Sequence, residues 1–388
     1  MDTTWQTRLL HSNARIPEGY RSLATPVYRG STTLFPSAAA VTDRWDQERF
    51  GYTYGLYGTP TTLELAARIA ELEGGGRTIL TPGGQAAISL IDFALLKSGD
   101  HVLVPQSVYR PNRRLTTALL SRFGVTATFY DPEIGAGIAS LMRDETRLVW
   151  TESPGSVTME VQDVPAIAAE AHARGALVAL DNTWSAGVFF DAFAHGVDVT
   201  MQALTKYVGG HSDLLLGSVT VRDDALYERL GAARQVIGCA ASPDDCSLAL
   251  RGLQTLGVRL RAVEASALEI ARWLAERREV ERVLHPALAS CPGHEFWKRD
   301  FTGSSGVFSI VFKPGPTWEQ VCAFVDSLQL FEVGYSWAGT TSLAVAYTIA
   351  PAGGRPAYDH RLVRFSIGLE STEDLIADLE RALLVLKR

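Results

Sequence analysis

The feature that most constrains this chain is an alternation, from about residue 60 to about residue 250, between helical apolar stripes and short β-rich runs. Thr61 to Leu72 places Leu63, Leu65, Ala66, Ile69, Ala70 and Leu72 on one helical face and stops at Gly74-Gly75-Gly76. The runs His101–Pro105, Val125–Tyr130, Arg147–Trp150, Ala176–Leu180, Val199–Leu204 and Gly217–Val221 have the apolar character of strands covered on both faces. Such alternation predicts an α/β chain with helices packed on a mainly parallel sheet.

Beyond Arg251 the texture changes. A long helical stripe through Leu253, Leu256, Leu260, Val263, Ala267, Ile270 and Leu274 leads away from the sheet. A smaller C-terminal α/β lobe follows, with strand-like Val307–Phe312, a helix near Trp318–Leu328, the run Ser342–Tyr347, strand-like Leu362–Ile367 and a last helix from Thr372 to Leu386 that Ser371 caps. With 388 residues, 46% of them hydrophobic, the chain exceeds the usual size of one core, so more than one lobe is expected. The division predicted is an arm over 1–57, a large domain over 58–252 and a C-terminal domain over 253–388. The arm is irregular and rich in Thr, Tyr and Arg, and is expected to lie on a neighbouring subunit.

Several function classes are excluded by composition. A formal charge of -7 argues against a polyanion-binding face, so no nucleic-acid partner is expected. No run of about 18 apolar residues occurs, which predicts no membrane span. The opening Met1–Tyr20 mixes Asp2, Arg8, Arg15 and Glu18 with one Leu pair, which predicts no secretory signal and a cytoplasmic protein. Cys239, Cys246, Cys291 and Cys322 form no CxxC pair and read as free thiols. The histidines, His11, His101, His172, His195, His211, His285, His294 and His360, show no metal-binding spacing, so no metal is expected.

Chemistry concentrates around one lysine. In Ala203-Leu204-Thr205-Lys206-Tyr207-Val208-Gly209-Gly210, Lys206 falls just past an apolar run, at the strand end where open α/β sheets place their ligands. A surface lysine is the plain alternative. A buried ammonium there would be costly unless an aldehyde consumed the amine. The run ending Ala179-Leu180-Asp181-Asn182 delivers Asp181 to the same edge, either as a helix cap or as the partner of a protonated ring nitrogen. Thr81-Pro82-Gly83-Gly84-Gln85 precedes the apolar helix Ala86–Leu96, so Gly83 and Gly84 form a seat for an anion, to which Thr205 adds a hydroxyl. Tyr109, after His101–Pro105, presents an aromatic face to a planar ring or simply packs in its loop.

Together these segments resemble the Cys/Met-metabolism family of pyridoxal-phosphate enzymes. The likeness covers nearly the whole chain, through Glu152-Ser153-Pro154-Gly155-Ser156-Val157-Thr158-Met159-Glu160-Val161, Asp181-Asn182-Thr183-Trp184, Thr205-Lys206-Tyr207, Arg251 to Arg261, Gly293 to Gly306 and Tyr335-Ser336-Trp337. The last three strings resemble the bacterial β-lyase branch. The resemblance implies the aspartate-aminotransferase-like (type I) PLP-dependent transferase fold, with pyridoxal 5'-phosphate as cofactor bound in the large domain. It implies Lys206 as covalent anchor and proton shuttle, Asp181 as partner of the pyridine nitrogen, and Tyr109 stacked on the ring and assisting proton transfer. Gly83, Gly84 and Thr205 would hold the phosphate, and Tyr54 would reach it from a neighbouring subunit. Arg364 would grip the substrate α-carboxylate as a planar fork of donors, with Ser336 and Trp337 beside it and Tyr54 at the same pocket. A strand-edge salt bridge is the alternative role for Arg364.

That likeness further implies a carbon–sulfur lyase of methionine biosynthesis, acting on a small sulfur amino acid: β-elimination from L-cystathionine to homocysteine, pyruvate and ammonia. A dimer at least, and by resemblance a tetramer, is expected. Rival readings are γ-chemistry (a γ-lyase or a sulfhydrylase using an activated homoserine) and a pyridoxal-phosphate-binding regulator without turnover. One departure stands out. In Tyr52-Thr53-Tyr54-Gly55-Leu56, the family pattern has Tyr-x-Arg, and here Leu56 takes the arginine position. Arg110, Arg113 or Arg114 is the candidate substitute for its charge.

Overall fold

Local chemistry sets the element boundaries. Pro60 at the first helical position and a reciprocal Thr59/Thr62 capping box start the helix Pro60–Glu73, and Gly74, at φ +68°, ends it. Ser371 caps the helix Thr372–Leu383 by accepting the Asp374 N–H. The computed structural model describes residues 4–10, 22–350 and 358–387.

The large lobe is built on a seven-stranded sheet in the order β1-β7-β6-β5-β4-β2-β3. Its strands are β1 (Arg77–Thr81), β2 (His101–Pro105), β3 (Thr126–Tyr130), β4 (Thr146–Glu152), β5 (Leu177–Asp181), β6 (Val199–Gln202) and β7 (Gly217–Val221). Pairing is parallel from β3 through β2, β4 and β5 to β6, while β7 runs antiparallel to both β6 and β1. The mainly parallel sheet is therefore confirmed, with β1 added at an edge where the Gly-rich stretch had concealed it. One face is covered by the helices Gly84–Leu95 and Asp224–Ile237 over an apolar cluster around Ile88, Ile91, Val104, Leu148 and Val219. The other carries Pro60–Glu73 and Val164–His172 over Leu65, Ile69, Leu103, Val149 and Val178. β2, β6 and β7 are buried along their whole length, as strands covered on both faces are.

The helix Pro243–Ala275 crosses from this lobe to the second, so the expected boundary at 252/253 falls inside it. A five-stranded sheet follows, in the order β10-β11-β12-β9-β8, from β8 (Val280–Leu284), β9 (Val307–Phe312), β10 (Glu332–Val333), β11 (Leu343–Ile349) and β12 (Asp359–Ser366). Helices Trp318–Asp326 and Thr372–Leu383 pack on it over Phe308, Phe312, Phe324 and Phe365. This is the smaller α/β lobe the sequence predicts.

Part of the expected arm lies outside the described residues, at 1–3 and 11–21. The helix Trp5–Leu10 packs on its own chain: Leu9 is buried and its carbonyl accepts from Arg68 Nη1 at 2.7 Å. All four cysteines are free, and among the described residues no helix is long and apolar enough to cross a membrane.

Candidate active site

Because β1, β2, β4, β5 and β6 point the same way, the loops after their carboxyl ends meet along one edge of the sheet. The fold thereby gathers residues far apart in the chain: Gly83 and Gly84 after β1, Tyr109 after β2, Asp181 at the end of β5 and Lys206 after β6. The second lobe adds the Ser336 loop and Arg364 from β12.

Lys206 Nζ donates to Ser336 Oγ and lies 5.3 Å from the centre of the Trp337 ring. Burial, reinforced by the positive charge of Arg364 and opposed by Asp181, lowers its pKa to about 8. Ser336 sits at φ +76°, in the left-handed region that a non-glycine residue adopts only under tertiary constraint. That backbone also aims the Ser336 carbonyl at Arg364, whose Nη2 donates to it at 2.9 Å. One residue of the loop thus ties the lysine to the arginine.

Arg364 is buried at 8% exposure, its Nε has no partner, and it forms no ion pair among the described residues. The strand-edge salt bridge is therefore absent there. Burial lowers its pKa, and the hydroxyls of Tyr347, Tyr335 and Tyr109 oppose that. A buried guanidinium with a free Nε is an incomplete structure that an incoming carboxylate would complete in bidentate fashion.

Asp181 uses one oxygen, Oδ1, to accept from the Thr183 N–H and hydroxyl at 3.1 and 2.5 Å. Its pKa is raised by burial, against the pull of those bonds and of Lys206. Oδ2 has no donor among the described residues, so it suits a ring N–H. At Gly83 a Cβ would meet nothing within 4 Å, which marks open space directly before the helix Gly84–Leu95, whose N-terminus has no side-chain cap. At Gly84 a Cβ would lie 2.6 Å from that of Ala203, so only glycine lets this helix end approach the Lys206 turn. Uncapped N–H groups facing open space make the anion seat. These features fit a phosphorylated pyridine aldehyde.

Other expected contacts differ. The Thr205 hydroxyl donates to the Leu216 carbonyl and accepts from its N–H, at 3.1 and 3.0 Å, so a phosphate bond from it requires that proton to be redirected. Tyr54 is not brought to the Lys206 cluster: its ring is half-exposed and meets Tyr57, while its carbonyl accepts from Gln47. Leu56 is held beside it by Arg234, whose buried guanidinium donates to the carbonyls of Leu56, Tyr57 and Cys239, each at 3.0 Å. Of the proposed substitutes for an arginine at 56, Arg113 is committed to Gln106 and stacks 3.9 Å over Phe129, whereas Arg110 and Arg114 are exposed.

Tyr347, whose ring centre lies 5.5 Å from the Arg364 guanidinium carbon, and Glu152 also belong to the site. Nothing in their spacing along the sequence marks either residue. Two of the histidines are tied into the fold: buried His101 bonds Thr146 and Thr128 at 2.8 and 2.9 Å, and His294 bonds the Pro286 carbonyl at 2.8 Å.

The family described as Cys/Met metabolism PLP-dependent enzyme matches residues 6–384. A putative cystathionine beta-lyase of Rhizobium johnstonii is 46% identical, over 97% of this chain and 94% of its own. The cystathionine beta-lyase MetC of Escherichia coli K12 is 41% identical, over 98% of each. The crystal structure of metB from Corynebacterium glutamicum superposes with a TM-score of 0.90 at 30% identity, covering 99% of both chains.

Proposed function

Since this chain belongs to the Cys/Met-metabolism family of PLP-dependent enzymes, we propose that it is a carbon–sulfur lyase that cleaves L-cystathionine to homocysteine, pyruvate and ammonia. The observation that carries the reading is the Ser336 bridge: one residue holds Lys206 Nζ through its hydroxyl and Arg364 through its carbonyl. An amino acid whose α-carboxylate docks on Arg364 then presents its Cα to an amine fixed in advance.

Pyridoxal 5'-phosphate, when bound, supplies the electron sink that makes loss of the Cα proton feasible. The residues supply the rest. Gly83 and Gly84 would seat the phosphate at the helix end, the free oxygen of Asp181 would accept the ring N–H, and Tyr109 would stand by the ring. Arg364 orients the substrate through Nε and Nη2. Lys206, with its pKa at about 8, keeps a useful fraction of neutral amine near neutral pH, takes the Cα proton at Nζ and holds it for return. Trp337 keeps the lysine from wandering and limits water around Nζ. With negative charge developed at Cα, the β carbon–sulfur bond breaks with its electron pair going to sulfur, and the proton held on Lys206 Nζ passes to that sulfur, so homocysteine departs as the thiol. Water hydrolyses the three-carbon remainder to pyruvate and ammonia.

The functional unit in this reading is a cytoplasmic homodimer or a dimer of dimers, with Tyr54 completing a neighbour's pocket. The half-exposed Tyr54 ring, set apart from its own chain's Lys206 cluster, supports it. The test is purified protein with L-cystathionine, following pyruvate, homocysteine and 2-oxobutanoate together. Pyruvate and homocysteine should appear in equal amounts; 2-oxobutanoate with cysteine would overturn β-elimination, and no product would point to the regulator.

A further inference from the structure

A second carboxyl stands one strand away from Asp181. Glu152 ends β4 as the direct Cα partner of Asp181 on β5, so in this parallel pair both side chains leave the same face at neighbouring-strand distance. Glu152 is 8% exposed; its Oε2 accepts the Tyr109 backbone N–H at 2.6 Å, and it is bonded to Ser156. Its own N–H donates to Gln162 Oε1 at 3.1 Å. Around it the chain has no slack: a Cβ at Gly155 would lie 2.4 Å from Ser107 Oγ and 3.1 Å from Glu160 Oε2. Glu152 forms no ion pair among the described residues, and the titratable groups facing it are Asp181, Glu160 and Tyr109.

We propose that Glu152 is a positioning residue of this site, fixing Tyr109 through its backbone N–H and setting the charge balance of Asp181 from the adjoining strand. The proposal rests on the reading that this site holds pyridoxal phosphate. Burial and the neighbouring Asp181 push the Glu152 carboxyl well above the usual carboxylate range, and burial raises Asp181 as well, against its bonds to Thr183 and the charge of Lys206. Two close carboxyls titrate as a unit. Ionising the second as pH rises changes the field at the coupled groups of the site.

The holoenzyme tests this by absorbance titration of the bound cofactor in wild type, Glu152→Gln and Glu152→Ala, with steady-state kinetics on cystathionine beside it. Glutamine keeps the shape and the acceptor for Tyr109 but cannot ionise. Expected are a cofactor titration in Glu152→Gln that differs from wild type because one coupled carboxyl is gone, near-normal kcat in Glu152→Gln, and kcat about tenfold lower in Glu152→Ala, as loss of one hydrogen bond predicts, with KM less affected. If Glu152→Ala does not fold, the Glu152→Gln titration decides. A cofactor titration in Glu152→Gln that superimposes on wild type, or wild-type kcat in Glu152→Ala, overturns the proposal alone; a wild-type protein that binds no cofactor overturns the underlying reading and this proposal with it.

Discussion

The amine of Lys206 should react with an aldehyde far faster at neutral pH than an ordinary lysine does. Burial beside Arg364 lowers its pKa from 10.5 to about 8. At pH 7 that leaves roughly one molecule in ten with a neutral, nucleophilic amine instead of about one in three thousand, a gain of about 300-fold. The assay is rapid mixing of the apoprotein with pyridoxal phosphate, following absorbance from about pH 6 to about pH 10, with Nα-acetyl-lysine as the reference for the aldehyde's own titration. The corrected rate should rise with pH and level off with a midpoint near the value set by the protein, about 8. The neighbours give the sign. Asp181→Asn removes the charge that holds the proton on Nζ and should lower the midpoint; Arg364→Met removes the charge that expels it and should raise the midpoint. A midpoint in the ordinary lysine range, or shifts of the same sign in both variants, would refute the electrostatic account of this site.

Other outcomes are expected from the same geometry. Arg364→Lys keeps the charge but loses the planar fork, so KM for cystathionine should rise by about ten- to a hundredfold in steady-state assays while cofactor absorbance persists. Burial raises Asp92, which accepts the Trp150 indole N–H, from an ordinary 3.8 to about 7. Its contribution to stability is fully present below the unfolded pKa near 4 and is lost as pH rises toward 7, about 4 kcal/mol at ~1.4 kcal/mol per pH unit. Denaturant unfolding of wild type and Asp92→Asn across that range should show the difference between them change with pH, and parallel curves would contradict it. Leu56→Arg should tighten pyridoxal phosphate binding by about tenfold or more, the value of one charge-assisted bond, as read by fluorescence titration. Light scattering in solution should find no monomer at assay concentrations, and a monomeric active enzyme would remove Tyr54 from the site.

The sequence made the strand ends legible because the physics there is local. A lysine and an aspartate just past apolar runs, and a Gly pair before an apolar helix, can be placed on one sheet edge from periodicity alone. Arg364 was reachable only through its family-like neighbours, since a strand arginine carries no local mark of being unpaired. Glu152 was invisible as a functional group: only the β4/β5 register puts it beside Asp181. The strand β1 was hidden because Arg77–Thr81 directly follows three glycines. The lobe boundary was misleading in a different way, since Pro243–Ala275 is a single helix whose stripe continues through the expected break. The commitment of Thr205 to Leu216 is a tertiary contact across a hairpin-like return and has no sequence signature.

The central claim is that one amine, on Lys206, forms the covalent bond to the cofactor. Borohydride reduction of the holoenzyme followed by peptide mapping tests it most directly. A single reduced adduct on the peptide containing Lys206, lost in Lys206→Ala, is the predicted result; an adduct on another lysine, or none, would contradict it.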